Sequence, residues 1–417
     1  MEHIFLHPVT PVYFGRPGAL PAGEARSGIS WFPPPISAFQ GMVRTRLLDD
    51  AGVFSPPGRV AELVGKPDEL PPGWHMQGPF PAYLPAGEET MQTWLPAPAF
   101  ALKPKAWEQS KPPVLARRLE AGQALCDAQG QAFEPLGNPG AGAEKPVGGW
   151  LSSRNLWHLL KGDPEQWDGH EYGPHLPPFV GQEIKIGLAR EKKEPEAKET
   201  AVGSNLHLSG RPQEGMLYSL GTLRFAEHGG LVGWFAGDLA PPLRPSALAR
   251  GRVVAGKKGG IMAFAPLPGK EDPHWADIAA GKHLGQGDLQ KDDALFWVIL
   301  LSSGRWRHGP AGAGDHGLAT AAEMLARAAD LPRVDLLGML CPAVTWLGGF
   351  SLAECRPRPA EPWFAPGTCL LVRVRAVEGK DHLKAIQRGW NNRCVLAPEK
   401  KLSFGYGHIL AAHYHEQ

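Results

Sequence analysis

A chain of 417 residues, 43% of them hydrophobic, has apolar material for one large core or, more readily, two of ordinary size, and this argues for two domains. Its formal net charge of +1 excludes a protein that holds nucleic acid by bulk charge, so any polyanion site must be a local patch. The five cysteines, Cys126, Cys341, Cys355, Cys369 and Cys394, lack the spacing of zinc ligands or of a secreted disulfide framework, which fits a reducing cytoplasm.

The opening MEHIFLHPVT lacks a secretory signal pattern, and Glu2 to Phe14 reads as a first strand. An Arg-bearing glycine turn at Arg16 and a proline run follow. Ser37-Ala38-Phe39-Gln40 then has the spacing of a capping box, in which Ser37 accepts from the backbone and Gln40 reaches back. At helical spacing Phe39, Met42, Val43 and Leu47 share one arc and Arg44 points the opposite way. Arg46 falls inside the apolar arc, where a guanidinium needs an acidic partner or a phosphate.

Pro56 to Pro113 is dominated by prolines with scattered tryptophans, as in an extended insertion draped over a core. Ser152 to Leu160 carries a helix start signal, and a turn-rich stretch after it places the domain boundary near Val180. The expected domains are therefore 1–180 and 181–417. Beyond the boundary, EIKIGLAR and MLYSLGTLRF alternate like strands on either side of a charged tract, which predicts a projecting hairpin with a polar tongue from Arg190 to Arg211.

The longest apolar run, ALFWVILL from Ala294 to Leu301, is too short to cross a bilayer and reads as a buried strand. Leu318 to Leu331 reads as a helix, Cys369 to Val377 as a strand, and His408 to His413 as the last strand. With 43 prolines and 52 glycines and no period, the chain is loop-heavy and not fibrous. The rhythm predicts an α+β protein of the split βαβ type, its second half a diverged copy of its first.

Several segments in this order resemble one family, the third subunit of the type III-B CRISPR Cmr RNA-silencing complex, within the RAMP superfamily. These are FGRPGAL through FPPPISAFQGMVRTRLL, GMLYSLGTLRF, GRVVAGKKGG, LGGFSLAECRPRPAEPWFAPGTCLLV and the closing LSFGYGHIL. In the family's glycine turn an acidic residue and an arginine are usual, where this chain has Lys257 and Lys258. The resemblance implies two ferredoxin-like domains and capture of the 5′ handle of the guide crRNA. It also implies contact with the large polymerase-like subunit and the adjacent backbone subunit, and with target RNA near its 3′ flank; it implies no cofactor and no membrane.

Single-stranded RNA is held by cations and backbone N–H groups on phosphate and by aromatic rings on splayed bases. Phe404-Gly405-Tyr406-Gly407-His408 offers glycines for close approach and rings for stacking, or else a tight turn with core aromatics. Ser37 and Gln40 mark a helix start that attracts anions, to which Arg16 and Arg44 add charge. Lys257, Lys258, Gly259 and Gly260 form a basic turn, and Asn391 and Arg393 a polar one that reads a base edge or is simply buried. On the resemblance, the tongue becomes a wedge between handle and spacer.

Catalysis enters because some RAMP relatives cut repeat RNA. His207, His228, His408, His413 and His415 titrate in the right range, yet no spacing pairs any two of them. The expectation is therefore a noncatalytic RNA-binding and assembly subunit. A metal-independent endoribonuclease and a purely structural adaptor stand as the alternatives.

Overall fold

The computed structural model describes residues 2–15, 27–119, 125–126, 132–138, 145–188, 217–256, 259–285, 294–306, 319–351, 356–375 and 381–415. Arg16, Lys257, Lys258, His207 and the charged tongue lie outside these residues.

Two sheets dominate a mixed α and β architecture. In the first, β1 (Glu2–Pro8) is followed by α1 (Ile36–Ala51) and β2 (His75–Tyr83). Between β1 and β2 lies β3 (Gly229–Ala236), antiparallel to both, so α1 joins two parallel strands across an inserted one. On the far side of β1 sits β4 (Gly260–Ala265). In the second sheet the chain runs β5 (Ala294–Leu300), α2 (Ala321–Ala328), β6 (Val334–Leu340), β7 (Cys369–Val374), α3 (His382–Gly389) and β8 (His408–His413). Its spatial order is β6-β7-β5-β8, the counterpart of β2-β3-β1-β4, so one connectivity occurs twice.

Sheet membership changes between residues 265 and 294 and not near Val180, because the chain beyond Val180 returns to supply β3 and β4 to the first sheet. The hairpin expected there is present: Val180–Leu188 pairs with Leu217–Phe225 from end to end.

Burial explains how the sheets stack. Along β5, Phe296, Val298 and Leu300 face one core while Trp297 and Ile299 face another, and all five are buried. A strand covered on both faces reads as an unbroken apolar run, which is why ALFWVILL has no polar alternation. The shared core also contains Phe5, Phe80, Val232 and Trp234 of the first sheet and Leu371 and Leu410 of the second. The two sheets, each forming one unit with the helices on its outer face, therefore pack face to face. The first sheet buries its other face against α1, where Phe39, Met42, Val43 and Leu47 are at most 3% exposed. The second buries its other face in a core that includes Leu325 of α2 and Ile386 of α3.

The proline-rich stretch is not draped over this core; it enters it as β2, with Trp74, Met76 and Phe80 buried. Proline lacks a ladder donor and argues against a central strand. Here β2 pairs with β3 along nearly its whole length, with Pro81 opposite Leu231 and Pro79 at a register shift in that ladder, while on its other side it meets the strand Gln92–Pro96 only at Ala82 and Tyr83. The capping box at Ser37 does not form either. Pro35 is the residue before the helix and no side chain caps it. A capping box does open α2, between Thr320 and Glu323, and Ser152 caps the helix Ser153–Leu160.

Arg46 finds the acidic partners its position demands. Its guanidinium bonds Asp49 at 2.6 Å and Asp50 at 3.3 Å, and its Nε donates to the carbonyls of Ala247 and Arg250 at 3.1 and 3.0 Å. Arg46→Ala is expected to lower stability by roughly 1.5–3 kcal/mol, because the part-buried Ala247 carbonyl loses a charged donor and two carboxylates lose their cation. A denaturant midpoint unchanged from wild type would contradict this. No helix among the described residues is long and apolar enough to cross a membrane.

Candidate nucleic-acid interface

The C-terminal glycine loop and the start of α1, far apart in sequence, meet in space. Gln40 is buried, and its Nε2 donates to the Phe404 carbonyl at 2.9 Å. The Tyr406 hydroxyl meets the side chain and backbone of Ser37, and burial pushes the phenol up to about 12. The second unit thus closes the N-terminal end of α1 with its own carbonyl and hydroxyl, so Gln40 is not free to hold a phosphate. The residue before the loop and the 391–392 turn also bond the start of the open edge of β2: the Met76 N–H donates to the Ser403 carbonyl at 2.9 Å, and Gln77 Nε2 to the Asn392 carbonyl at 3.1 Å.

The loop's glycines serve this internal approach. Gly405 has φ +97°, and a Cβ there would meet the Met76 carbonyl at 2.7 Å. Gly407 has φ +64° and sits against the backbone of Leu396 and Ala397. Phe404 is buried in the core over α1, and His408 is fully buried beside Phe80. Neither ring presents a face to solvent, which corrects the expectation that they stack on bases; Tyr406 alone of the three rings is half-exposed.

Asn391 is buried, donating to the carbonyls of Ile278 and Ala279 at 2.7 and 3.2 Å, so it resolves as a structural turn and not a base reader. Arg393 is exposed, with its Nε on the Arg388 carbonyl at 3.1 Å. Gly259 has φ +73° with open space around its missing side chain, whereas Gly260 begins β4 in contact with Val12. Arg44 does point away from the apolar stripe, but its Nη2 donates to the carbonyls of Gly65 and Lys66 at 2.6 and 2.7 Å.

Where β2 lacks a neighbour, a cavity of about 660 Å³ opens along the seam between the two units. Its walls are the proline run with Trp31, the Gly78–Phe80 turn of β2, Trp150, Ser302 and Ser303, and Tyr406. The remaining wall comes from a two-stranded ribbon, Val344–Ser351 paired with Arg356–Phe364, whose Thr345 and Leu347 line the cavity. This ribbon reaches back to the first unit through Arg358, whose Nη2 donates to the Pro67 carbonyl at 3.1 Å.

The charge of Arg358 acts on Arg44, Lys401 and Tyr406 alike. Desolvation, then Arg358, lowers the Arg44 guanidinium to about 10, with Asp68 opposing; the same two causes lower Lys401, opposed by Asp68 and Glu361. Arg44 and Arg358 thus bond neighbouring carbonyls, those of Gly65, Lys66 and Pro67, and Lys401 lies within reach of the Arg358 charge. Glu361 is engaged elsewhere, 2.5 Å from Arg305, which lies over the Trp363 ring.

A family model described as CRISPR-associated protein (Cas_Cmr3) matches residues 4–263, well over half of the chain. The chain belongs to the Cas_Cmr3 family. It is thus a member of the family of the third subunit of the type III-B Cmr complex. Two cryo-EM structures contain chains that align with it. One is the type III-B Cmr-beta bound to cognate target RNA and AMPPnP, state 1, at 13% identity and TM-score 0.43, covering 89% of this chain and 86% of that one. The other is the type III-B Cmr-beta bound to cognate target RNA, at 14% identity and TM-score 0.44, covering 98% and 96%. No curated protein sequence matches.

The Cas_Cmr3 match ends just inside β4, so it includes the proline run, α1 and β2 but not the ribbon or the glycine loop. Arg358 and Lys401, which the sequence analysis did not single out, belong to that second part. Their signal is weak in sequence: one sits between prolines, the other in a short charged helix, and only the ribbon's reach toward α1 brings them together. Among the described residues no group of histidines, cysteines and carboxylates is placed to hold a metal ion.

Proposed function

We propose that this Cas_Cmr3 protein is a noncatalytic subunit of the type III-B Cmr effector, built of two ferredoxin-like units, that holds the 5′ handle of the guide crRNA. In the same reading it joins the large polymerase-like subunit to the adjacent backbone subunit in antiviral defence, and lies near the 3′ flank of target RNA. Family membership supports the assembly role, and the neighbouring cations Arg44, Arg358 and Lys401 near an aromatic seam support the RNA role. The twice-repeated strand order supports the two-unit reading, with the change of unit between 265 and 294.

The packing of the sheets supports a seam site for RNA. Proteins with a single open sheet of this kind stack bases on its exposed aromatics. Here those faces carry Phe5, Phe80, Trp234 and Trp297 and are buried in the core between the sheets together with Trp275, which supports the seam over these sheet faces as the RNA surface. Catalysis finds no support in His408, because burial holds the ring neutral with a pKa near 3, and its Nε2 is occupied by Asn392 Oδ1 at 2.7 Å.

Affinity for handle RNA is expected to fall steeply with salt, each neutralised phosphate contributing about 0.7 to the log–log slope for a single strand. Lys401→Ala is expected to reduce that slope by roughly one such unit. No affinity at low salt in the assembled complex would remove the RNA role, and specific cleavage of repeat RNA in chelator would replace the noncatalytic reading by the endoribonuclease one.

A further inference from the structure

We infer that the seam cavity takes one unstacked nucleobase of single-stranded RNA, with the adjoining phosphate held at the rim by Arg358 and Lys401. This rests on the RNA-binding reading and names the subsite within it. The volume of about 660 Å³ lies within the range of single small-ligand sites, roughly 300–1,000 Å³. The lining contains no aspartate, glutamate, lysine or arginine, so the depth of the cavity favours an uncharged group. Trp31, Trp150 and Tyr406 supply rings, and the proline run supplies a flat apolar wall. Ser303, Thr345 and Gln182 add hydroxyl and amide groups of the kind that read base edges.

A neutral interior with a cationic rim matches a nucleotide: ring inside, diester outside. Tyr406 ties the two parts together, since it lines the cavity while its N–H donates to the Lys401 carbonyl at 3.4 Å, and Lys401 Nζ lies 5.3 Å from the centroid of the neighbouring Phe404 ring. An apolar side chain from a protein partner would suit the walls but gain nothing from the cations. The ribbon makes the site possible, because Thr345 and Leu347 close the cavity while Arg358, on the paired strand, reaches the Pro67 carbonyl of the other unit.

The test uses the full chain, alone and in the assembled complex, with handle RNA made abasic at each position in turn and, separately, carrying 2-aminopurine at each position. One position is expected to stand out, its abasic form binding roughly 5- to 100-fold more weakly and its 2-aminopurine changing fluorescence on binding. Thr345→Trp, which fills the cavity from its ribbon wall, is expected to weaken intact RNA by a similar factor and to be indifferent to that abasic site. Arg358→Gln is expected to weaken every RNA alike and to lower the salt slope.

A flat abasic scan and flat fluorescence with tight wild-type binding would overturn the base site and leave the RNA reading intact. Lost assembly with unchanged RNA affinity in Thr345→Trp would overturn it in favour of a protein side chain. Absence of wild-type binding would overturn both readings. The 2-aminopurine scan needs no variant, so it decides even if Thr345→Trp fails to fold.

Discussion

Gly407→Val is expected to destabilise the protein by about 4 kcal/mol or more, enough to prevent recovery of folded chain. Two causes act at once. The residue has φ +64°, a region in which a β-branched side chain is strongly disfavoured. Its Cβ would also lie 2.6 Å from the Leu396 carbonyl oxygen and 2.7 Å from the Ala397 nitrogen, both backbone atoms with no rotamer to yield. The surrounding turn cannot shift cheaply, because Gly407 donates to the Ser303 carbonyl and accepts from the Val395 and Leu396 N–H groups. Gly259→Ala is the control: its φ of +73° is similar but its surroundings are open, so the expected cost is only the backbone term, about 1–2 kcal/mol. Urea unfolding of both variants separates the causes, and a Gly407→Val loss no larger than that of Gly259→Ala would show that packing at the loop is not what requires glycine.

The glycine loop also shows what a sequence can and cannot disclose. Two glycines between aromatic residues announce that some backbone comes very close, and Gly405 and Gly407 do meet backbone. Whether the visitor is RNA or another part of the same chain is not encoded locally, and here it is β2 and the 395–397 turn. Gln40 teaches the same lesson: its spacing from Ser37 satisfies a local rule, but a buried carbonyl at Phe404 competes successfully for its amide. The apolar stripe of α1, the all-apolar β5 and the span of β8 were legible because burial leaves a periodic or continuous hydrophobic record. β2 was not, since its prolines sit beside a register shift in one ladder and a mostly unpaired second edge, neither of which a local pattern reveals. Arg46 lies between these cases; its need for partners was readable, and Asp49 and Asp50 one turn away answer it.

Acidification from about pH 7 to about pH 4 is expected to unfold the protein through two buried histidines. Burial pushes the His408 ring down to about 3 and the His283 ring to about 4, from an ordinary value of 6.5. In each, Nε2 is engaged, with Asn392 Oδ1 at 2.7 Å and the Ala411 carbonyl at 2.6 Å, while the buried Nδ1 has no partner. Near pH 7 neither the folded nor the unfolded chain protonates these rings, and their contribution is complete. Below 6.5 the unfolded chain takes up protons that the folded chain refuses, so each ring removes up to about 1.4 kcal/mol per pH unit. The loss levels off near pH 4 for His283 and near pH 3 for His408. His408→Gln keeps an N–H for Asn392 and removes one titration. Its stability at neutral pH is expected to fall modestly, while its acid limb becomes shallower by about 1.4 kcal/mol per pH unit. Denaturant unfolding of both proteins across this range tests the assignment, and parallel acid limbs would show that His408 is not a source of the pH dependence.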